Sequence, residues 1–526
     1  MTTTTRSAEV INGGKRQLSS WNQAAMRSYV RQVFCFPFCG ASQGLESLRL
    51  HLASALAMAT VRFPDYAARV FLEPGSAGKV SVGGTCADKV SLRVFDQRSL
   101  FGWTYQQLRA AGFPAKAFVD PSFTVPYKLV EGGPGIPVLE VHARVIEGGL
   151  LLCIYLHHSV SDGVGMTNFL STFAACTRLL PECAPQQGIH SHGYPTDIYK
   201  DLPDAVTLSL VTKMSFEELM SRCPEYGVLT NLSGPTAPLV QNPLVLMKAI
   251  PKIGRIFKFS FGKIDSIKRA ARQWRSTQGI PADSRYPSTY ACLAALTWAF
   301  STVSRFGAPD KVKMLQMKKL DRAKDSTGVT CRMLMPASWA RRVFQDASRH
   351  YAGNAVAMPE ANAVLRTLFD VKRCPVNGNV PTTGRALGAL VHCIETALSG
   401  IDDDFVATRT AMFRAAPDPR AIGVRLDATD ARDFIFNSWR RFGADTAWGI
   451  PGVGAGSMHA KAAAGGGLHP DAVRRAQETW NMGAGVIMPG TKDSGVYEVL
   501  VTLDVPSMER LCCDENWTAW VDEVVE

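Results

Sequence analysis

The chain lacks the features that mark several large protein classes. Its 526 residues contain no uninterrupted apolar run of the roughly eighteen residues that a membrane-spanning helix needs. The start, Met-Thr-Thr-Thr-Thr-Arg-Ser, has no basic segment followed by an apolar one, so we expect no secretory signal and a cytoplasmic location. A Gly-x-x-x-x-Gly-Lys-Ser/Thr phosphate loop and a His-Glu-x-x-His motif are also missing, which excludes P-loop NTPases and zinc peptidases of that type.

Cysteine is present but lacks the arrangement of a disulfide or zinc framework. The thirteen cysteines are an odd number, and Cys153, Cys176 and Cys292 stand among apolar neighbours. The adjacent pair Cys512-Cys513 has no further cysteine or histidine near it. We therefore predict reduced thiols that pack as small hydrophobic side chains, and no metal site.

Charge of one sign is in excess, but it is diffuse. There are 57 basic and 46 acidic residues, a net charge of +11. The moderate clusters at Lys263–Arg275 and Lys311–Arg322 lack the aromatic-interleaved basic stripes of nucleic-acid binders. We therefore expect no nucleic-acid partner, whereas a small molecule carrying several phosphates suits this charge balance.

The length predicts two domains, because a single core stops growing at about 250–300 residues. An apolar fraction of 46% and a charged fraction of 20% are those of an ordinary folded protein. Prolines recur from about residue 182 to 251 and periodicity fades there. We predict an N-terminal domain over residues 1–210, a crossover linker over 211–250 and a C-terminal domain over 251–526.

One predicted strand leads directly into a histidine motif. Apolar and polar residues alternate over Leu139–Val145, which predicts a half-buried strand. After a glycine turn, Leu150–Leu156 is nearly all apolar and predicts a strand buried on both faces. His157-His158 follows, and beyond Asp162-Gly163 the apolar residues recur at helical spacing. The motif is therefore predicted on a strand-to-helix turn.

The residue types in this turn suit acid–base chemistry. An imidazole has an unperturbed pKa of about 6.5, so a placed histidine such as His158 can take a proton from an attacking hydroxyl or amine and return it to a leaving group. The carboxylate of Asp162 has two possible jobs, orienting the imidazole or holding the loop by pairing with a cation. Gly163 leaves room for the close approach of a ligand or chain segment. We interpret His157 as a neighbour that shapes the loop.

Several motifs, in order along the chain, resemble those of the BAHD acyltransferases, which carry a His-x-x-x-Asp motif. His158 to Gly163 matches the first motif, and Asp445-Thr446-Ala447-Trp448-Gly449 is similar to the second, Asp-Phe-Gly-Trp-Gly. Ser288-Thr289 before a helix and the Tyr351–Asn354 turn also match. Within the family, the chain resembles the fungal secondary-metabolite O-acyltransferases of the trichothecene 3-O-acetyltransferase type.

The resemblance implies an α/β fold of two chloramphenicol-acetyltransferase-like domains, each a mixed β-sheet with flanking helices, with a solvent channel between them. His158 is then the base in mid-channel, and Asp162 points away from substrate and holds the loop through an arginine. Asp445 is expected to pair with an arginine, with Arg332 as the candidate. Trp448 either lines the channel, supports the developing oxyanion or simply packs, and Gly449 completes the motif.

The resemblance also implies acetyl-CoA, or another acyl-CoA, as co-substrate, with no metal. The coenzyme phosphates need cations, and the candidate CoA-binding residues follow the predicted crossover linker: Lys258, Lys263, Lys268, Arg269, Ser288 and Thr289. Lys318, Lys319 and Arg322 are further candidates. We expect a monomer whose partners are acyl-CoA and a small-molecule acceptor.

Three functions are consistent with these residues. The first is transfer of an acyl group, most simply acetyl, from coenzyme A to a hydroxyl of a small secondary metabolite through a ternary complex. The second is N-acylation or a condensation-type reaction that forms an amide or ester. The third is a non-catalytic small-molecule binding protein with the same fold. The intact His158 and Asp162 favour an enzyme over the third.

Overall fold

The computed structural model describes residues 14–39, 44–84, 90–179, 211–228, 250–280, 286–307, 328–340, 342–344, 353–372, 383–454 and 467–526. The strands of these parts are β1 Arg16–Gln17, β2 Tyr29–Pro37, β3 Arg69–Leu72, β4 Val80–Gly83, β5 Ser91–Asp96, β6 Ile136–Pro137, β7 Leu139–Ile146, β8 Gly149–His157, β9 Tyr226–Val228, β10 Lys252–Ser260, β11 Thr330–Leu334, β12 Ala337–Ser338, β13 Val356–Ala357, β14 Glu360–Val364, β15 Ile422–Val424, β16 Asp433–Ser438, β17 Ala472–Arg475, β18 Ala484–Ile487, β19 Val496–Asp504 and β20 Glu523–Val525.

The helices in the described parts follow the same chain order. They are α1 Ser20–Ala24, α2 Gly44–Arg62, α3 Pro64–Ala67, α4 Tyr105–Ala110, α5 Gly163–Leu179, α6 Phe216–Ser221, α7 Phe261–Thr277, α8 Thr289–Phe306, α9 Leu365–Lys372, α10 Thr383–Ser399, α11 Asp403–Ala415, α12 Val505–Cys512 and α13 Glu515–Trp520. None of these helices is long and apolar enough to cross a lipid bilayer.

The first sheet is mixed and has the strand order β17-β2-β8-β7-β5. Its first four strands pair antiparallel, while β5 runs parallel to β7. Helices α2 and α5 pack against each other and contribute buried side chains to the hydrophobic core of this sheet. All nine residues of β8 are buried, as their apolar sequence predicts, because the strand lies at the centre of the sheet.

The second sheet is also mixed and has the strand order β14-β11-β16-β18-β19-β10-β20. Parallel pairs join β11 to β16 and β16 to β18, and the other neighbours are antiparallel. The apolar helix α8 is buried in the core of this sheet beside α7, α9 and α10. Two mixed sheets with flanking helices confirm the predicted fold class.

Each half of the chain contributes an element to the other half. Strand β17 pairs with β2, so residues from late in the chain complete the first sheet. In the opposite direction, Trp21 of α1 packs against Trp339 and Phe413, and its indole N–H donates to the Thr410 hydroxyl at 2.8 Å. The predicted division at residue 251 assigned β17 to the C-terminal domain, whereas its pairing places it in the first sheet.

Strand β7 differs from the half-buried strand that its alternation predicts. All eight of its residues are buried, including Glu140, His142 and Arg144. Glu140 contacts His142 at 2.5 Å and the guanidinium of Arg93 at 3.1 Å, and Arg144 lies over the Phe123 ring. These polar groups are buried with partners from other segments as well, since Arg144 donates to Ser122 at 3.2 Å and to Gln97 at 3.3 Å, so the prediction of an exposed face is wrong.

Candidate active site

The histidine motif forms the turn between β8 and α5, as predicted. His157 is the last residue of β8, and α5 begins at Gly163. The backbone N–H of His158 donates to the Ser28 carbonyl at 2.8 Å, just before β2 pairs with β8. The side chain of His158 is only partly buried, so a substrate can reach it from outside the sheet.

The imidazole of His158 is held by Asn354, from the other half of the chain. Its Nδ1 lies 3.0 Å from Oδ1 of Asn354. The Asn354 amide is oriented by its other bonds, because its Nδ2 donates to the His158 carbonyl at 2.6 Å and to Oδ1 of Asn22 at 3.3 Å. The amide oxygen therefore faces Nδ1, which must carry the proton to make this bond. The lone pair is left on Nε2, where a base needs it.

Asp162 braces the turn through backbone amides. Its Oδ1 accepts from the N–H groups of Val164 at 2.9 Å and Gly165 at 3.1 Å, which caps α5, and its Oδ2 accepts from Ala355 at 3.1 Å. Within the described residues, backbone amides, one of them beside Asn354, stand where an arginine partner was predicted. Burial raises the pKa of Asp162, and the amide bonds offset part of this rise. The brace fixes Asn354 relative to the motif.

His157 lies inside the first domain and is fully buried. Its ring meets Tyr29 edge to face at 5.2 Å, and its Nδ1 accepts from the Ser159 N–H at 3.3 Å. Burial, with smaller effects of the nearby His158 and Arg27, lowers the pKa of His157 to about 3. His157 is therefore neutral near pH 7 and shapes the loop, in agreement with its predicted role.

Gly163 gives the closest approach between the motif and the segment that follows β16. A Cβ added to Gly163 would overlap the ring of Phe442. Phe442 in turn stacks on Trp439, with ring centroids 6.0 Å apart. The glycine is needed here because an aromatic side chain of this chain occupies the space beside the start of α5.

The predicted ion pair between Asp445 and Arg332 does not form. Arg332 on β11 donates to Asp433 at 2.7 Å, and Asp433 is its register partner on the parallel strand β16. Asp445 is exposed and accepts from the backbone N–H of Lys492 at 3.1 Å. Asp433 lies directly beside Arg332, so the short distance selects it over a residue twelve positions later on a loop.

Trp448 and Gly449 pack at the far end of α5, away from the base. Trp448 is 1% exposed and contacts the rings of Phe34, Phe36 and Phe173. The Gly449 N–H donates to the Thr177 hydroxyl at 3.0 Å. A Cβ there would lie 2.7 Å from a backbone atom of α5, so this position requires glycine. Of the alternatives for Trp448, packing is the one the contacts favour.

The predicted CoA-binding lysines form a basic surface on β10 and α7, already engaged by acidic groups. Lys258 pairs with Glu523 at 2.9 Å and Lys263 with Asp522 at 3.0 Å. Within α7, Lys268 lies 3.7 Å from Asp265 and Arg269 donates to Ser266 at 2.8 Å.

The other predicted CoA contacts act on helix structure or lie elsewhere. Ser288 caps α8 through a bond from the Ala291 N–H at 3.1 Å, and Thr289 is the first residue of α8. Lys318, Lys319, Arg322 and Tyr351 lie outside the described residues. The motif and the basic surface are thus separate groups of residues.

Sequence reasoning did not identify Asn354 as a partner of the base or Asn22 as its support. The Tyr-x-Gly-Asn match contained the necessary signal for Asn354, since an asparagine after a glycine turn is a candidate for local hydrogen bonding. Asn22 carries no such signal. A spacing typical of nucleophile elbows, Gly40-x-Ser42-x-Gly44, also occurs. In the chain it comes after Pro37, the end of β2 that is distant from His158, and Ser42 lies outside the described residues.

The comparisons with known proteins agree with this fold. Residues 28–176, which contain the histidine motif, match the family model described as the trichothecene 3-O-acetyltransferase-like N-terminal domain. Over 167 residues the chain is 28% identical to the acyltransferase easC of Emericella nidulans, covering 31% of this chain and 34% of the relative. The chain thus spans about a third of the length of the first curated relatives it matches.

Two further likenesses cover most of the chain. The trichothecene 8-O-acetyltransferase of Fusarium sporotrichioides is 22% identical over 436 residues, which are 79% of each protein. Among solved structures, F. graminearum TRI101 complexed with coenzyme A and deoxynivalenol has a TM-score of 0.70 and 20% identity, covering 98% of this chain and 100% of that chain. Residues 28–176 are therefore similar to a trichothecene 3-O-acetyltransferase-like N-terminal domain, and nearly the whole chain has the two-domain fold of TRI101.

Proposed function

We propose that the protein transfers an acyl group, most simply acetyl, from coenzyme A to a hydroxyl of a small secondary metabolite. The observation that carries this proposal is the bond between Nδ1 of His158 and the oriented Asn354 amide, which leaves Nε2 as a base on a partly exposed side chain. The catalytic assignment of His158, with Asp162 and Asn354 as positioning residues, is part of the proposal.

The reaction then runs in a ternary complex of acyl-CoA, acceptor and enzyme. Nε2 of His158 takes the hydroxyl proton as the acceptor oxygen attacks the thioester carbonyl, which forms the new C–O bond. As the C–S bond breaks, the imidazolium returns that proton to the departing thiolate. Asn354 orients the ring throughout, because its Oδ1 accepts a hydrogen bond from Nδ1–H in both charge states of the ring. A placed base contributes roughly 10²–10⁴-fold to such a step.

The similar proteins support both substrates. TRI101 was crystallised with coenzyme A together with deoxynivalenol, a small acceptor molecule, and the Fusarium relative is named as an acetyltransferase. For this chain, we assign the coenzyme phosphates to the basic surface formed by Lys258, Lys263, Lys268 and Arg269, next to the start of α8 at Ser288-Thr289. Replacing Lys263 and Lys268 by methionine is expected to raise KM for acyl-CoA while kcat is retained; an unchanged KM would remove this assignment.

The test of the reaction uses purified protein, acetyl-CoA and an extract of the producing organism. Thiol release and mass spectrometry of the products are followed for the wild type, His158→Ala and His392→Ala. His392 is a matched control because it is a half-buried histidine of α10 that packs on Trp274, far from the motif in sequence and in a helix that flanks the other sheet. We expect an acetylated product that disappears in His158→Ala and persists in the control.

Each other outcome selects a different function. Product formation that survives in His158→Ala contradicts the base assignment. Thiol release that depends on an added carrier protein favours the condensation-type reaction, and N-acylated products favour amide formation. Binding of small molecules without turnover of any acyl-CoA leaves a non-catalytic binding protein.

We also propose that the protein works as a monomer in the cytoplasm. The support is the self-contained arrangement of the site, in which Asn354, Asp162 and His158 come from a single chain. Light scattering coupled to gel filtration should give the mass of one 57.1 kDa chain. A mass of twice that value contradicts the monomer. Co-fractionation of the native protein with organelles contradicts the cytoplasmic location.

A further inference from the structure

Arg475 of β17 is a cation with no acidic partner among the described residues. Its neighbour Arg474 is buried and bonded to Glu498 at 2.8 Å, whereas no hydrogen bond or ion pair of Arg475 is found in the described parts of the chain. Its guanidinium instead lies 5.5 Å from the centre of the Trp439 ring. Burial and, to a smaller extent, nearby Arg31 together lower the pKa of Arg475 to about 10. The residue is only half-buried, so an anion can reach the guanidinium and would balance its charge.

A second polar group beside Arg475 is also unsatisfied. Gln32 is the direct register partner of Arg475 on β2, so both side chains point to the same face of the sheet. Gln32 is 0% exposed, and neither its amide nitrogen nor its amide oxygen has a hydrogen-bond partner in the described part of the chain. A fully buried amide without partners costs about 1–3 kcal/mol, which a ligand or water bound there would recover.

These two side chains adjoin the proposed catalytic motif. Trp439, over which Arg475 lies, stacks on Phe442, and Phe442 fills the space beside Gly163 at the start of α5. The backbone agrees, since Gln32 is four residues along β2 from Ser28, whose carbonyl binds the His158 N–H. At about 3.3 Å per residue this is roughly 13 Å, which an extended arginine side chain and a substrate substituent can span together.

The charges around Arg475 favour an anionic ligand of modest size. Arg31, whose pKa burial also lowers, adds positive charge from the opposite face of the sheet, because it is the neighbour of Gln32 along β2. The carboxylate that acts on Arg31 is that of Glu478, which is exposed. A planar guanidinium beside an amide N–H offers the geometry that a carboxylate accepts with both oxygens.

We propose that Arg475 and Gln32 form a carboxylate-binding subsite beside the histidine motif, and that one of the two substrates carries the carboxylate. This inference rests on the proposed acyl transfer, because it concerns the selectivity of the same site. The carboxylate can be on the acyl group, as in a dicarboxylic acyl-CoA, or on the acceptor. In both cases Arg475 is a specificity residue and takes no part in proton transfer.

The experiment measures binding by calorimetry, so it does not depend on turnover. One arm compares malonyl-CoA with acetyl-CoA, and the other compares benzoate with benzamide. Each pair is titrated into the wild type, Arg475→Met, Arg475→Lys and Arg49→Met. Arg49 is a control because it is an exposed arginine of α2 that pairs with Glu46 on its own helix. Arg475→Lys keeps the charge and guards against a folding defect in the methionine variant.

In one arm we expect the wild type to bind the carboxylate compound with a Kd at least tenfold lower than that of its neutral partner. This preference should be lost in Arg475→Met, weakened in Arg475→Lys and unchanged in Arg49→Met. A preference in the first arm places the carboxylate on the acyl group, and one in the second arm places it on the acceptor. The subsite is overturned if neither arm shows the preference. It is also overturned if Arg475→Met weakens acetyl-CoA and malonyl-CoA equally, which would indicate a phosphate contact. His158-dependent turnover without any carboxylate preference leaves the proposed function standing and removes only the subsite.

Discussion

At the scale of single residues, the proposed chemistry depends on which ring nitrogen of His158 carries the proton. Asn354 decides this through an amide whose nitrogen is already committed to the His158 carbonyl and to Asn22. The arrangement is uncharged, so it orients the ring without adding a carboxylate to the site. A neutral partner leaves the charge of the imidazolium uncompensated once it has accepted the substrate proton.

Replacing Asn354 by leucine should reduce kcat about 10–100-fold, the usual size of an effect on a group that orients a functional histidine. Asn354→Asp should have a higher kcat than Asn354→Leu, because a carboxylate also accepts a hydrogen bond from Nδ1–H. It should also move the acidic limb of the pH–rate profile to higher pH, since a negative charge favours the imidazolium. The measurement is kcat against pH for the three proteins. A loss in both variants with an unchanged pH profile would show that Asn354 acts only on folding.

His157 makes stability depend on pH. Its pKa is about 3 in the folded protein and about 6.5 when unfolded, so the unfolded chain binds more protons below pH 6.5. The contribution of His157 to the free energy of unfolding is therefore complete above pH 6.5 and falls as the pH drops towards 3. From neutral pH to pH 5 this residue alone should remove about 2 kcal/mol, at about 1.4 kcal/mol per pH unit.

Urea unfolding of the wild type and His157→Gln at pH 7.5 and pH 5 measures this difference. The variant should be less sensitive to acid by about 2 kcal/mol, since glutamine does not titrate. His142, whose pKa burial also lowers, is retained in both proteins and cancels in the comparison. Equal acid sensitivity of the two proteins would contradict a buried neutral His157.

At the scale of elements, the motif depends on the fit between the start of α5 and the loop after β16. Gly163→Ala should destabilise the fold by about 1–3 kcal/mol, because the added methyl group overlaps the Phe442 ring. Phe442→Leu makes room for the added methyl group. In the Phe442→Leu background, Gly163→Ala should therefore lower the free energy of unfolding much less than it does in the wild type. Thermal or urea unfolding of the four proteins of this cycle gives the coupling. Additive effects would show that Gly163 and Phe442 do not compete for the same space.

The elements that carry the motif were predictable because their signals are local. The continuous apolar run predicted β8 to within one residue at each end, and the following helical spacing predicted the start of α5. The buried face of β7 was not predictable, because it depends on Arg93 and Phe123 reaching Glu140 and Arg144 from distant segments. Polar residues at alternate positions of a strand indicate a solvent-exposed face only when no other segment of the chain packs over them.

The partners of charged residues were the least predictable part of the site. Asp445 and Arg332 were matched on a family pattern, but the parallel register of β11 and β16 sets Asp433 beside Arg332. Asp162 likewise finds amides where an arginine was expected. Such choices depend on strand register and loop path, which a single sequence does not reveal, whereas the identity of the base follows from the motif.

At the scale of the whole molecule, the two halves are joined by exchanged elements, so a cut in the sequence does not separate them. Strand β17 covers the edge of β2, which carries the buried apolar residues Val33, Phe34, Cys35 and Phe36. The chain length could indicate two domains, but it could not show that a strand following the second motif returns to the first sheet. The predicted boundaries at 210 and 251 therefore describe the chain better than they describe the folded units.

A fragment of residues 1–210 should be insoluble or aggregated when expressed alone, because β2 would become an exposed apolar edge strand. Solubility after lysis and light scattering measure this, with the full chain as control. Adding residues 467–480 in trans as a peptide should improve recovery of the fragment, whereas a peptide with Arg474→Pro should not, because Arg474 and Val33 form a hydrogen-bonded pair and proline removes its ladder bond. A monomeric, soluble fragment without the peptide would contradict the role of β17.

The place of β17 in the chain also affects how the protein is made. Ala472 pairs with Cys35, so the first sheet lacks its fifth strand until about 440 further residues have left the ribosome. At the usual 5–20 residues per second, β2 keeps an open edge for roughly 20–90 seconds of translation. The nascent chain is therefore a client for chaperones that shield β-strand edges, and its yield should depend more on translation speed and chaperone supply than on the stability of the finished fold.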